Sequence, residues 1–195
     1  LMYIAPAFSY RRVDQREESD LAFLDRLGRE RGVNLKVHDG VVILYFAVVA
    51  DAKLPSLTIR RTKDQFSPSS YSFEENAEGT FKAAAVSYHD PAANVTHTAT
   101  VPVDGEPPSG QTLICNERVE SPGEAEALGN APLRRANEQA DTGNFTIMGH
   151  PGLVAGITVR MTGFGRYDGL YFVEKAEHKV PGYTTSADIR RVLGY

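Results

Sequence analysis

The chain of 195 residues has no tryptophan and a single cysteine, Cys115. One thiol excludes an internal disulfide and a cysteine-based zinc site. Flanked by Leu113 and Ile114, Cys115 reads as an inert thiol in a strand. Positive charge is in deficit: 21 Lys and Arg stand against 25 Asp and Glu, a formal net charge of −4. That balance argues against sequence-independent nucleic-acid binding, which needs a basic face; it leaves room for local basic patches at Arg11-Arg12, Arg60-Arg61 and Arg134-Arg135, which read as solvated faces or subunit contacts. Long apolar runs are also missing. The longest, Val41–Ala50, is about half of what a membrane-spanning helix needs, so no membrane insertion is expected. Leu1–Tyr10 has neither the basic start nor the cleavage site of a signal peptide, and the chain reads as a piece of a protein assembled in the cytoplasm.

The remaining composition, 42% hydrophobic and 24% charged, is that of a globular protein. Arg16–Arg31 is the first helix, with Ser19 as N-cap, Asp20 in the first turn, an apolar stripe of Leu21, Phe23, Leu24 and Leu27, and Gly32 as the stop. Val33–Val37 alternates with strand period, His38-Asp39-Gly40 supplies a turn, and Val41–Val49 reads as a strand apolar on both faces and therefore buried. A division near residue 60 separates a small α+β domain, 1–60, from a barrel domain, 61–195.

Beyond it, strands are expected at Leu57–Arg61, Ser70–Phe73, Thr80–His89, Val95–Val103 and Gln111–Val119, with later ones near Gly143–Met148, Ile157–Thr162, Leu170–Lys179 and Tyr183–Val192. Ser121-Pro122-Gly123-Glu124 is a capping box opening a helix to about Ala140. Pro132 interrupts that helix, and because an interior proline costs about 3 kcal/mol, a break is expected at Gly129–Ala131. The fold class is α+β, mainly antiparallel β: a tube-like β-barrel flanked by one helix, plus the small α+β domain.

No catalytic constellation assembles from these residues. Ser87 and His89 share a strand face that Asp90 does not, so they are not a triad. Glu117 and Glu120 have the residue types of a glycosidase pair, but surface carboxylates at a strand–helix junction are the plainer reading. His38, His89, His97, His150 and His178 show no ligand spacing. Gly163–Gly169 contains a GxG, yet it opens no helix and reads as a hairpin, not a phosphate cradle. The sequons at Asn94 and Asn144 are chance matches. The expectation is no catalytic, cofactor-binding or metal residue and no cofactor.

Three stretches, in order, carry a family resemblance. Val13–Leu27, VDQREESDLAFLDRL, is similar to the Q-R-x-E-S-D-x-x-F-L-x-R-L segment of phage late control D proteins and type VI secretion spike proteins. Thr80–Pro91, TFKAAAVSYHDP, resembles their K-x-x-x-V-x-Y-x-D-P strand and turn. Arg118–Ser121 with its helix, and the glycine-punctuated segment from Gly143 onward, complete the match. The resemblance implies a baseplate hub of a contractile tail. Such a hub is a homotrimer, with one face on the tail tube protein, the other on the spike protein, and the tape measure protein nearby. It also implies a first barrel upstream of Val13. A tail-associated peptidoglycan hydrolase, and the spike of a type VI-like injection system, stand as alternatives.

Overall fold

A computed structural model describes residues 12–38, 40–62, 68–90, 94–103, 110–119 and 122–194, with some side chains in 38, 88–90, 97, 116–119 and 122–127 outside the description. Helix α1 (Asp20–Glu30) starts where the cap predicts: the Ser19 hydroxyl accepts the Ala22 N–H. It ends at Gly32, whose φ of 71° places it in the left-handed region. Strands β1 (Val33–His38) and β2 (Val41–Phe46) pair antiparallel in register His38↔Val41, and Gly40 in the tight turn takes φ 75°.

The expected buried strand to Val49 differs in two respects. The chain leaves β2 at Phe46 and turns into a short helix, α2 (Ala47–Asp51). Moreover Val41, Val42, Ile43 and Leu44 are 41–59% exposed. The reason is that β1 and β2 form a two-stranded sheet of their own, with no further strand paired to either among the described residues.

The main sheet has six strands in the order β3-β9-β10-β11-β8-β4, where β3 is Leu57–Arg60, β4 Ser70–Glu75, β8 Asp141–Met148, β9 Thr158–Thr162, β10 Gly169–Lys179 and β11 Thr184–Arg191. It curls into a half-barrel. All pairings are antiparallel except β3 with β9, so β3, just before the expected division near residue 60, is an edge strand of this sheet. Alternate residues point inward, as strand period requires: Ile59, Phe145, Ile147, Val159, Met161, Tyr171, Val173, Ala187 and Ile189 make one core.

The strands between β4 and β8 form a separate sheet, β6-β5-β7 (Val95–Pro102, Ala83–Asp90, Thr112–Val119). Helix α3 (Pro122–Glu138) packs its apolar face here, where Leu128 and Leu133 meet Val86, Ala84 and Val103. The helix therefore covers the three-stranded sheet and not the barrel wall. It also runs unbroken through Pro132, contrary to the expected interruption. Close packing explains this: a Cβ on Gly129 would lie 2.8 Å from Val101 Cγ2, so the helix is pressed onto the sheet at the point where a break was expected. Asn137 fastens the far end, accepting the Phe81 N–H and donating to the Phe81 carbonyl, each at 2.8 Å. The capping residue Ser121 lies outside the described residues.

Candidate assembly surface

The three sub-structures meet at a buried charge cluster. The alternation that turns Tyr171, Val173 and Ile189 into the barrel turns Phe172 and Arg190 out of it, toward α2 and α3. Arg190 is only 2% exposed, and its guanidinium sits 4.7 Å from the centre of the Phe172 ring. It donates two hydrogen bonds to the carboxylate of buried Asp51, at 2.9 and 3.2 Å. Arg134 of α3 donates to the same carboxylate. Glu138, one turn on, lies 3.4 Å from Arg134 and 3.5 Å from Arg190, and Glu174 lies 3.5 Å from Arg190. Short α2 exists to deliver Asp51 to this point: one carboxylate ties the hairpin unit to both the barrel and α3.

Burial holds the Glu138 carboxyl above its ordinary 4.5, although Arg190 and Arg134 favour its charged form. The sign follows from linkage. A carboxyl whose folded pKa is raised takes up a proton in the folded state first, so its stabilising contribution is present at low pH and is lost as pH rises through the folded value. Wild type should therefore lose stability relative to Glu138→Gln as pH increases from about 4.5 toward neutrality. Urea unfolding of both proteins at several pH values checks this. A stability difference that is flat, or that grows in favour of wild type, rejects the assignment.

Beside the cluster opens a cleft of about 650 Å³ between the hairpin unit, the end of α3 and the outer face of β10 and β11. At the other side of the barrel, β3 and β4 are edges, and neither pairs with the other among the described residues. Aromatic side chains bridge the opening instead. Phe73 of β4 stacks on Tyr167 at 4.5 Å and meets Phe164 edge-on at 5.6 Å, both from the loop between β9 and β10. Arg61, just after β3, lies over Tyr71, and Arg166 pairs with Glu75. Tyr171 lies beneath, its hydroxyl pushed up to about 12 by burial.

The residues singled out from sequence distribute widely. Ser87 is exposed on β5, and the side chains of His89 and Asp90 are outside the description, as are those of Glu117 and the whole of Glu120. Gly163–Gly169 does form a hairpin connection, closed by a single 3₁₀ turn at Gly165–Tyr167. His178 and the backbone of His150 meet at Thr185: its hydroxyl accepts the His150 N–H at 3.0 Å and lies 3.1 Å from His178 Nδ1. Among the described residues no three His, Cys, Asp or Glu side chains gather as a metal ion requires. No described helix is long and apolar enough to cross a membrane.

No protein-family model matches this sequence, and no curated protein matches it. Solved structures do. A tail protein from Neisseria meningitidis MC58 superposes with a TM-score of 0.67 at 13% identity, over 92% of this chain and 57% of that one. The 43 kDa tail protein of prophage MuSo2 from Shewanella oneidensis gives 0.69 at 17% identity, over 93% and 56%. The chain has the fold of phage tail proteins. A component of the virion of a native gene transfer agent particle is a more distant likeness, with a TM-score of 0.51 at 14% identity over 87% of this chain and 38% of that one. The chain thus spans a little over half the length of the two tail proteins it matches best among these three.

Proposed function

We propose that the chain is a structural part of a contractile phage tail: a baseplate hub that joins the tail tube to the central spike and works as a homotrimer in the virion, after assembly in the bacterial cytoplasm. The observation that carries this reading is the superposition on tail proteins, which covers more than nine-tenths of the chain. The sequence resemblance to late control D hubs supports the finer assignment.

The edges give it a physical rationale. Strands with unpaired backbone groups on one side are aggregation-prone unless covered or paired. The half-barrel ends in β3 and β4, and repeating one contact around a threefold axis closes such edges in a ring. In this reading the tail tube and spike proteins are the axial neighbours, with the tape measure protein inside the tube. The net charge of −4 repels phosphate and suits a channel that DNA crosses without sticking.

Light scattering on the full-length hub should give a trimer, and a tail reconstruction should show three copies at the end of the tube. A monomer, or six copies, overturns the proposal. Work here is mechanical and not enzymatic. Clearing of peptidoglycan in a zymogram that vanishes on substitution of Glu117 or Glu120 would sink that part.

A further inference from the structure

We propose that the cleft beside Arg190 is a docking site for an extended acidic segment of another protein of the same particle, bound as an added strand with an apolar side chain as anchor. The identity of the source rests on the reading above; the chemistry of the cleft does not.

Charge complementarity points to this occupant. The acidic groups of the lining are already engaged: Asp25 by Arg29 at 2.6 Å, and Glu138 and Glu174 by Arg190. Three cations of the lining form no direct ion pair with a carboxylate among the described residues. Lys36 donates only to the Ala155 carbonyl at 3.3 Å, Arg135 only to the Asn34 amide oxygen at 3.3 Å, and Lys53 is exposed at the rim. The lining carries five Arg and Lys side chains against three carboxylates, an excess of positive charge that carboxylates of a ligand would relieve; Arg135 is held below its ordinary value first by burial and then by Arg29, with Glu138 and Asp25 acting the other way.

A bare anion would leave most of the cleft unused. Its walls are apolar: Tyr45, Phe46, Val49 and Phe172 line it, and the neighbouring Ile43 and Leu44 are 41% and 46% exposed. An anchoring side chain fits that surface. Two further features favour a peptide main chain. Among the described residues β2 pairs only with β1, so its other edge offers backbone donors and acceptors to an incoming strand. Glu138 Oε1 is buried at the cleft and accepts no hydrogen bond, although two guanidinia lie near. A backbone N–H from the occupant would satisfy it.

The probe is a synthetic peptide, acetyl-Asp-Leu-Phe-Glu-Asp-amide, titrated calorimetrically into the full chain at low salt. Its counterpart, acetyl-Lys-Leu-Phe-Lys-Lys-amide, is the control. The acidic peptide should bind with sub-millimolar affinity of about 10⁻⁴ M and weaken with salt, while the lysine peptide should not bind. Lys53→Glu, at the exposed rim where folding is not at stake, should weaken binding several-fold, and Lys36→Glu with Lys53→Glu together about tenfold. Absence of binding at millimolar peptide, equal binding of the lysine peptide, or affinity unchanged by the double variant overturns the proposal. Self-association of the chain that Lys53→Glu abolishes would make the occupant a second copy and overturn the choice of partner. Copy number in the tail is untouched by any of these results, so failure here and failure of the hub reading are separable.

Discussion

Asp51→Ala is expected to cost the fold about 3–5 kcal/mol, the range found when one partner of a buried ion pair is removed. Asp51 and Arg190 are 5% and 2% exposed, so water does not compensate. The substitution leaves Arg190 and Arg134 with only Glu138 and Glu174, at 3.4–3.5 Å and without good hydrogen-bond geometry. Folded domains are stable by roughly 5–15 kcal/mol in total, so this one side chain decides a large share. The second arm of the experiment separates cost of breakage from worth of the pair. Asp51→Leu combined with Arg190→Met should recover much of the loss, because an apolar replacement of a buried ion pair is often neutral. Urea unfolding measures both. A loss below about 1 kcal/mol for Asp51→Ala would show that water or a shifted Glu138 takes over, and that the hairpin unit is not fastened at this carboxylate.

Much of the fold was legible because it is local. Ser19 and Gly32 fix α1 by capping and by a positive φ, and Gly40, at φ 75°, suits the tight turn of the first hairpin. The strands of the half-barrel lie close to where they are expected, since short segments punctuated by glycine turns mark strands locally. What was not legible depends on partners distant in sequence. Val41–Leu44 reads as core by composition, yet it is exposed in a sheet that has no third strand among the described residues. Pro132 reads as a break, and only the pressure of Gly129 on Val86 and Val101 shows why the helix persists. The separation of β5–β7 from the half-barrel is a matter of pairing, about which alternation says nothing. The charge cluster left a faint signal. Asp51 closes the apolar run Ala47–Ala50, and Arg190 follows the core residue Ile189 on the opposite face of its strand. A charge beside apolar residues hints at burial, but 139 residues separate Asp51 from Arg190, and sequence alone cannot join them.

Phe73→Ala should open the barrel at its edge, at a cost of about 3 kcal/mol, the lower end for losing a buried phenyl ring because Phe73 is only half-buried. Its ring touches Phe164, Tyr167, Tyr171 and Tyr71. It also lies against Gly143 on the facing strand, where a Cβ would come within 2.9 Å of the ring, so the phenyl group covers a backbone that has no side chain of its own. Among the described residues β4 has no strand on its outer side, and its strand pairing is with β8. Two ties to the loop remain: Tyr71 meets Phe164 edge-on at 5.0 Å, and the Arg166–Glu75 pair is 63% and 50% exposed and therefore contributes little. Without Phe73, β4 should detach before the rest of the sheet. Amide exchange over Ser70–Glu75 should accelerate well ahead of exchange in β10 and β11, and the protein should become more prone to aggregate because a second edge, that of β8, is uncovered. Phe73→Leu keeps an apolar plug without the stacking geometry and should lie between the two. If exchange in β4 and β10 rises together, or if the alanine variant unfolds like wild type, the seam is not held by its aromatic side chains.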